Sequence, residues 1–441
     1  MEVKYKISDQ VRVITNEELK KVALVNPVMH RFVVLELNVF NIIEKNLEAV
    51  NNLDNKIFDT FSFLKEKKFI VKKNDKASPL YSFPQKFTYA IFELTNLCNL
   101  RCITCYNDSK PENKNILTTK EIFYILKKLK TYGIKNIGIG GGEPFIRSDI
   151  IEILKFCKEN FEQISISTNG TLLTEKICRK IKEYEPTLIQ VSIDGFTPEI
   201  NDLIRGEGSW EKSIKGLLNL KKAGCNNILV KPTLTKLNYK QIGQTMFDFA
   251  EKYGVKVAWS KFVPIGRGER NMDKLILPVS EYREFLGGAY KERIECISEE
   301  EAKSYVDRYF EIHKFYPALY YCGAGTTSFL IKPNGDVYPC ILLEDKKFFL
   351  GNILVNDIES FENKFVIPSV DFFTSCAKCD VRYFCCGSCR AEAYYKTGNF
   401  LAPNPSCSIY KESYQKILWY YDKRKLLEGS YKKILLELCL S

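Results

Sequence analysis

The sequence predicts an α/β protein: a partial (β/α)6 TIM-type barrel, preceded by a small winged-helix-like α+β domain and followed by a cysteine-rich C-terminal domain. Three observations carry this. Strand and helix patterns alternate from residue 87 to about 262; a stretch holding Pro79 and Pro84 sets off the first 75 or so residues; and eight cysteines crowd between Cys322 and Cys407. A length of 441 residues suits two or three domains. A hydrophobic fraction of 45% and a charged fraction of 27% are those of an ordinary folded chain. No run of 18 apolar residues occurs, and MEVKYKISDQ has neither the apolar core nor the cleavage site of a signal peptide. A cytoplasmic protein with no membrane partner is expected. The net charge of +11 is spread without a basic block, so it hints at an acidic partner but gives no nucleic-acid motif.

In order along the chain, 11–14 and 22–25 read as short strands, while 32–47 and 57–69 carry apolar residues at helical spacing. KKFIVKKN reads as the last strand of a wing, and 76–86 as a linker. The barrel strands are expected at 89–94, 134–140, 163–168, 188–193, 228–234 and 255–260. Helices are expected between them at 119–130, 149–160, 175–183, 210–223 and 239–253. Strands separated by helices mean right-handed βαβ units and a parallel sheet, with ligands gathered at the C-terminal strand ends. Residues 264–320 read as a polar, helical bridge, 321–410 as the cysteine-rich domain, and 411–441 as an amphipathic helical tail.

The cysteines number 16 against 2 histidines, which weighs against zinc hydrolases and histidine acid–base chemistry. Without an export signal, clustered thiols point to iron–sulfur clusters or zinc rather than to disulfides. Directly after the first barrel strand stands FELTNLCNLRCITCYN, with Cys98, Cys102 and Cys105 inside eight residues. A loop that short can curl round three corners of a four-iron cube, leaving one iron open to a ligand from outside. A zinc knuckle would need a fourth ligand nearby, and no His or Cys follows until Cys157.

CNLRCITCY resembles the CxxxCxxC signature of the radical SAM superfamily. The resemblance implies that the open iron takes S-adenosylmethionine and that its reductive cleavage gives a 5′-deoxyadenosyl radical. Gly141, Gly142, Glu143 and Pro144 resemble the family's GGEP motif, the glycines admitting the methionine end of the cofactor and Glu143 accepting from its ammonium group. By the same resemblance Thr168, Asn169, Ser192 and Asp194, at the ends of the next two strands, face the cofactor, as does Tyr106, and Arg205 meets its carboxylate. Turn formation and helix capping are the plain alternatives for these residues. No catalytic base can be named.

Beyond the barrel, Cys322, Cys340, Cys376, Cys379, Cys385, Cys389 and Cys407 resemble the SPASM extension, which implies two auxiliary clusters and three [4Fe-4S] clusters in all. Cys376, Cys379, Cys385 and Cys407 would hold the outer one, and Cys322, Cys340 and Cys389 the inner one, with its fourth position open or filled by another group. A structural zinc ribbon is the alternative. PNGDVYPC reads as a hairpin, with Gly335 at the positive-φ position, that brings Cys340 back beside Cys322. Cys386 is spare. Cys157, Cys178, Cys225, Cys296 and Cys439 read as packed small hydrophobes.

The N-terminal pattern resembles PqqD-like precursor-peptide recognition domains, which implies leader binding by strand addition. YAIFELTNLCNLRCITCYNDS, PIGRGER and CGAGTTSFLIKPNGDVYPC resemble maturases of sactipeptides, ranthipeptides and related thioether peptides, of the subtilosin type. The resemblance implies thioether crosslinks between cysteine thiols and carbon atoms of a cysteine-rich ribosomal precursor peptide, with a flavodoxin or ferredoxin-like electron donor. Carbon–carbon crosslinking, epimerisation and formylglycine formation are the rival radical reactions, and a zinc- or RNA-binding module the non-enzymatic rival.

Overall fold

The computed structural model describes residues 4–75, 86–112, 117–286, 298–303, 318–319, 322–420 and 430–432. Residues 76–85 of the expected linker, 287–297, 304–317 and 320 of the bridge, Cys296, Cys439 and most of the tail fall outside the described residues. The chain divides into two compact units that do not follow the sequence order: residues 1–83, 290–322 and 368–441 form one, and 84–289 with 323–367 the other.

The first unit opens with β1 (Tyr5–Ile7), β2 (Arg12–Asn16), β3 (Lys21–Asn26), β4 (Arg31–Glu36), α1 (Leu37–Lys45), α2 (Asn55–Glu66) and β5 (Ile70–Lys72). β2, β3 and β4 form an antiparallel meander, and β5 pairs antiparallel with β1. The helix expected over 32–47 is therefore half wrong. RFVVLE is a strand, because its β-branched and aromatic residues pair with β3 through a turn in which the buried Asn26 side chain accepts from Val28 N (3.1 Å) and Met29 N (3.0 Å). Helical spacing takes over only at Leu37. Val22, Leu24, Phe40, Ile43, Phe61 and Leu64 close the small core. The N-terminal strands also meet the C-terminal end of the same unit: Arg12 Nε donates to the Tyr383 hydroxyl at 3.2 Å, and the Phe32 and Phe384 rings meet edge to face at 5.1 Å.

The second unit begins β6 (Tyr89–Glu93), α3 (Thr119–Tyr132), β7 (Asn136–Gly140), α4 (Ile150–Asn160), β8 (Gln163–Thr168), α5 (Glu175–Tyr184) and β9 (Leu188–Val191). It continues α6 (Pro198–Arg205), α7 (Ser209–Lys222), β10 (Ile228–Val230), β11 (Thr233–Leu234), α8 (Tyr239–Tyr253), β12 (Lys256–Val257) and β13 (Ser260–Lys261). Short helices α9 (Arg267–Arg270) and α10 (Met272–Leu275) follow, then β14 (Ser328–Ile331), β15 (Asp336–Tyr338) and β16 (Gly351–Asn352).

The sheet order is β12-β10-β9-β8-β7-β6-β14-β15-β16, parallel from β12 to β14 and antiparallel beyond. The expected strand over 228–234 is two strands, because Pro232 has no N–H to give the ladder; β11 pairs separately with β13. Its expected neighbour over 255–260 divides likewise. α6 was not anticipated, and it carries Arg205. One row of side chains, Ile331, Phe92, Ile139, Ile166, Ile189 and Ile228, runs in register across six strands, each at most 2% exposed. The alternating positions, such as Ile91, Gly138 and Ser165, lie on the opposite face.

The hairpin expected at PNGDVYPC forms, with Gly335 at φ +83°, but its strand β14 extends the barrel sheet itself. Phe329 on β14 is fully buried and packs edge to face on Phe87 at 4.7 Å. α13 (Cys407–Tyr420), with α11 (Arg382–Cys385) and α12 (Arg390–Thr397) before it, completes the first unit. No helix among the described residues is long and apolar enough to cross a membrane. Phe329→Ala should lower stability by about 3–5 kcal/mol by opening a cavity at the β6–β14 seam. Chemical denaturation followed by circular dichroism checks this, and a loss below about 1 kcal/mol would show that β14 adds nothing to the barrel.

Candidate active site

β6 is followed by the segment that carries the first three cysteines. Its main chain is fixed by close contact with the turn after β7: Gly142 N donates to Thr95 O at 2.6 Å and Glu143 N to Leu97 O at 2.8 Å. A Cβ at Gly141 (φ +128°) would stand 2.4 Å from Thr95 O, and one at Gly142 2.1 Å from Leu97 O. The place of each missing Cβ is filled by the main chain leading into Cys98, and only glycine permits the approach. Pro144 is buried and opens a 3-10 turn over Pro144–Ile146.

The three sulfurs each find a polar neighbour. Cys98 Sγ accepts from Leu100 N at 3.5 Å and from Asn169 Nδ2 at 3.8 Å; Cys105 Sγ accepts from Ser109 N at 3.4 Å; Cys102 Sγ lies 4.0 Å from Arg205 Nη1. Burial pushes the Cys102 thiol up to about 12, opposed by Arg205, with Cys105 and Cys98 close enough to push it further. Cys98 is raised chiefly by burial too. Thiols in this state bind as thiolates only when a cation supplies the opposing charge. Among the described residues no three His, Cys, Asp or Glu side chains are gathered to hold a single metal ion. One zinc would draw its sulfurs to about 3.8 Å apart, whereas a four-iron cube spreads them.

Glu143 is fully buried. It accepts from Thr168 Oγ1 (2.8 Å), Asn169 N (2.7 Å) and Phe145 N (3.2 Å), and burial raises it to about 7 against these donors. The carboxylate thus ties the turn after β7 to the end of β8. Ser192 is half-buried, and its N–H donates to Thr168 O at 2.9 Å. Asp194, also fully buried, accepts from Thr233 N at 2.6 Å; its other oxygen stands 2.8 Å from Arg205 Nε without hydrogen-bond alignment, an ion pair held by charge. Cys102, Arg205 and Asp194 therefore form one line. The Tyr106 hydroxyl donates to Glu93 Oε1 at 2.9 Å.

Two cations missed in the sequence hold this loop from outside. Arg267 donates to Cys102 O (3.0 Å) and Ser109 O (2.7 Å) and pairs with Asp108 (3.0 Å), while its N–H donates to Cys105 O at 2.9 Å. Lys332 lies 2.8 Å from both Glu93 and Glu344 and donates to Asn107 Oδ1 at 2.6 Å. PIGRGER was a visible signal for the first; nothing local marked Lys332.

The remaining cysteines divide between the units. Cys340 belongs to the barrel unit, its Sγ accepting from Leu342 N at 3.4 Å; Cys322, Cys376, Cys379, Cys385, Cys389 and Cys407 belong to the other. Burial pushes Cys385 up to about 12, with Cys407, Cys376 and Cys379 near enough to push it further, and Cys322 acts on Cys389. After Cys385 the chain curls through three left-handed residues, Cys386, Gly387 and Ser388. The Cys386 thiol donates to Ala318 O (3.1 Å) and Tyr383 O (3.3 Å), so it is engaged with main chain. Cys157, Cys178 and Cys225 are buried, as expected of packed thiols.

Because burial favours protonated Glu143 in the folded chain, its contribution to stability falls as pH rises from about 4.5 through 7. Thr168→Val removes a donor to the ionised form, so it should cost about 1–3 kcal/mol at pH 8 and less at pH 5. Denaturation at the two pH values checks this; an equal loss at both would show that the bond does not serve the carboxylate.

Two regions match known families: residues 92–249 match the radical SAM superfamily, and residues 322–390 the SPASM iron–sulfur cluster-binding domain. The chain is 28% identical over 330 residues to the mycofactocin maturase MftC of Mycolicibacterium smegmatis, covering 72% of this chain and 81% of that one. It is 29% identical over 285 residues to the antilisterial bacteriocin subtilosin biosynthesis protein AlbA of Bacillus subtilis, covering 62% and 59%. Among solved structures it resembles native anSMEcpe with bound AdoMet (TM-score 0.61, 21% identity, covering 78% of this chain and 99% of that one). It also resembles Streptococcus suis SuiB bound to precursor peptide SuiA (TM-score 0.54, 16% identity, covering 91% and 98%). At these identities the structural likeness is one of fold. The chain thus has the α/β radical SAM fold and carries a radical SAM domain followed by a SPASM domain.

Proposed function

We propose that the protein is a radical SAM maturase of a ribosomally synthesised peptide, forming thioether crosslinks between cysteine thiols and carbon atoms of acceptor residues. The observation that carries this reading is the loop of Cys98, Cys102 and Cys105 at the end of the first parallel strand, backed by GGEP and followed by a second thiol group. The donor set fits a four-iron cluster. Three soft sulfurs share one short loop, and a guanidinium stands beside one of them. When bound there, a [4Fe-4S] cluster and S-adenosylmethionine supply the 5′-deoxyadenosyl radical that takes hydrogen from the peptide.

The chain's own part is to bind, orient and compensate charge. Cys98, Cys102 and Cys105 hold the cluster; Arg205, already paired with Asp194, faces the incoming carboxylate; and Asn169 and Ser192 line the approach. Glu143 and Thr168 brace the floor, and Arg267 and Lys332 hold the loop in shape from behind. Cys376, Cys379, Cys385 and Cys407 hold an outer auxiliary cluster, and Cys322, Cys340 and Cys389 an inner one, making three. The N-terminal domain over 1–75 binds the leader of a cysteine-rich precursor, and a flavodoxin or ferredoxin-like protein supplies electrons in the cytoplasm. The names of the relatives and the peptide in the SuiB complex support a peptide substrate.

A second reading is another modification of a precursor peptide without a thioether: the chain covers 81% of the mycofactocin maturase against 59% of the subtilosin protein, and neither name specifies the bond formed. The test is anaerobic incubation with reductant, S-adenosylmethionine and a candidate cysteine-rich precursor peptide. Thioether formation should remove two hydrogens per bridge and protect one cysteine per bridge from alkylation. A mass change with every cysteine still alkylated would select the second reading. Cys102→Ala should abolish cleavage of S-adenosylmethionine, whereas Cys379→Ala should leave cleavage and remove crosslinking. Cleavage that survives Cys102→Ala would end the radical SAM reading.

A further inference from the structure

On the face of the barrel sheet opposite the buried apolar row, polar side chains fall into two kinds. Those near the cysteine loop are engaged: Glu93 with Lys332, Asn169 with Asn99, and Asp194 with Arg205. Further across, the side chains of Ser167, Gln190 and Lys231 have no hydrogen-bond or ion-pair partner among the described residues. The function proposed above uses none of the three.

Register places them together. Ser167 pairs with Gln190 and Gln190 with Leu229, so these side chains leave the sheet on one face, in one row. The ladder runs one residue beyond β9 and β10: Ser192 N donates to Thr168 O at 2.9 Å, and Lys231 N to Val191 O at 3.1 Å. Lys231 therefore leaves on the same face, two positions on from Leu229 and beside Ser192. That face is open. Ser167 is exposed although β7 and β9 flank its strand, and a Cβ on Gly140 in β7 would meet only Ser167 Cβ within 4 Å, at 3.7 Å. An exposed side chain in the middle of a sheet, at the C-terminal ends of parallel strands, has room above it for a ligand.

Lys231 supplies the charge. It is half-buried, and burial pushes its ammonium group down with no carboxylate to oppose the shift. Arg205, Arg267 and Lys332 in the same unit each hold an aspartate or glutamate at 3.0 Å or less. A partly desolvated cation without a counter-ion is a cost to the folded chain that an anionic ligand removes. Ammonium, amide and hydroxyl together offer donors to two oxygens at once, which is what a carboxylate presents.

We propose that Ser167, Gln190 and Lys231 form a subsite that reads a carboxylate side chain, aspartate or glutamate, in the modified segment of the precursor peptide. Lys231 pairs with the carboxylate, and Gln190 and Ser167 donate to it. This deepens the function proposed above and rests on its peptide substrate. The carboxylate of S-adenosylmethionine is the other source of that chemistry, and Arg205 is already assigned to it.

The test uses full-length protein, anaerobically reconstituted and loaded with S-adenosylmethionine, without reductant. Binding of a fluorescently labelled candidate cysteine-rich precursor is followed by anisotropy, beside copies in which each Asp or Glu of the cysteine-bearing segment is exchanged in turn for Asn or Gln. On wild type, one exchange should weaken binding about 10- to 100-fold. Lys231→Met should weaken the acidic peptide by the same factor and the exchanged copy no further, while Lys231→Arg keeps most of the affinity. Equal affinity of the acidic and exchanged peptides on wild type overturns the subsite, and that measurement needs no variant to fold. An equal loss of both peptides in Lys231→Met overturns it too, since the lysine would then shape the sheet alone. Equilibrium dialysis of S-adenosylmethionine separates the two carboxylates: weaker cofactor binding in Lys231→Met with peptide affinity intact would overturn the peptide assignment. Wild type that cleaves S-adenosylmethionine yet binds no form of the peptide would instead overturn the peptide reading beneath it.

Discussion

Ionising a buried sulfur is the constraint on which the rest of this structure depends. Burial drives Cys102 and Cys385 to about 12, far from a state in which either binds metal unaided. The chain answers with cations placed where the sulfurs are. Arg205 stands beside Cys102, Arg267 grips the carbonyls of Cys102 and Ser109, and Arg390 grips the carbonyls of Gly387 and Ser388 beside Cys389. Each is fixed by several hydrogen bonds or an ion pair, so its charge costs no reorganisation when an anionic group forms. Placing these cations explains the fold's less obvious features, among them an unforeseen helix ending in Arg205 and a curl of three left-handed residues before Arg390.

The barrel supplies the positions. Parallel strands bring Glu93, Gly140, Thr168 and Val191 to the same edge, so the segments that follow them meet. The meeting is tight: the turn after β7 lies against residues 95–97 at a separation only glycine allows, and Glu143 reaches from that turn to the end of β8. The cysteine loop is thereby shaped by main-chain contacts made within the barrel. β14 extends the same sheet from far along the chain and delivers Lys332 to Glu93 and Asn107.

What the sequence disclosed follows from this division. The βα rhythm and the cysteine spacing are local signals, so the barrel strands 89–93, 136–140 and 163–168 and the thiol triplet were legible. The strand at Arg31–Glu36 was hidden because its apolar residues fit helical spacing as far as Leu47, and pairing with β3 decides between the two. Pro232 divided a strand that composition alone would run through. Arg267, Lys332 and Arg390 were illegible for a different reason: their partners are carbonyls or carboxylates up to 239 residues away, and no periodicity marks a residue whose role is to hold main chain. The bond from the Tyr106 hydroxyl to Glu93, thirteen positions back, was hidden on the same ground.

The basic balance of the chain takes a different meaning once charge compensation is considered. The net charge of +11 counts every cysteine as neutral. On the proposed reading ten of the cysteines are ionised ligands, and their negative charges bring the chain's own excess to about +1 before any iron is counted. The surplus of lysine and arginine that hinted at an acidic partner is then matched from within by sulfur. Arg205 shows the matching at the level of a single residue, set beside Cys102. A protein built this way carries an uncancelled positive charge as long as its thiols stay protonated, and that charge favours formation of the anionic clusters.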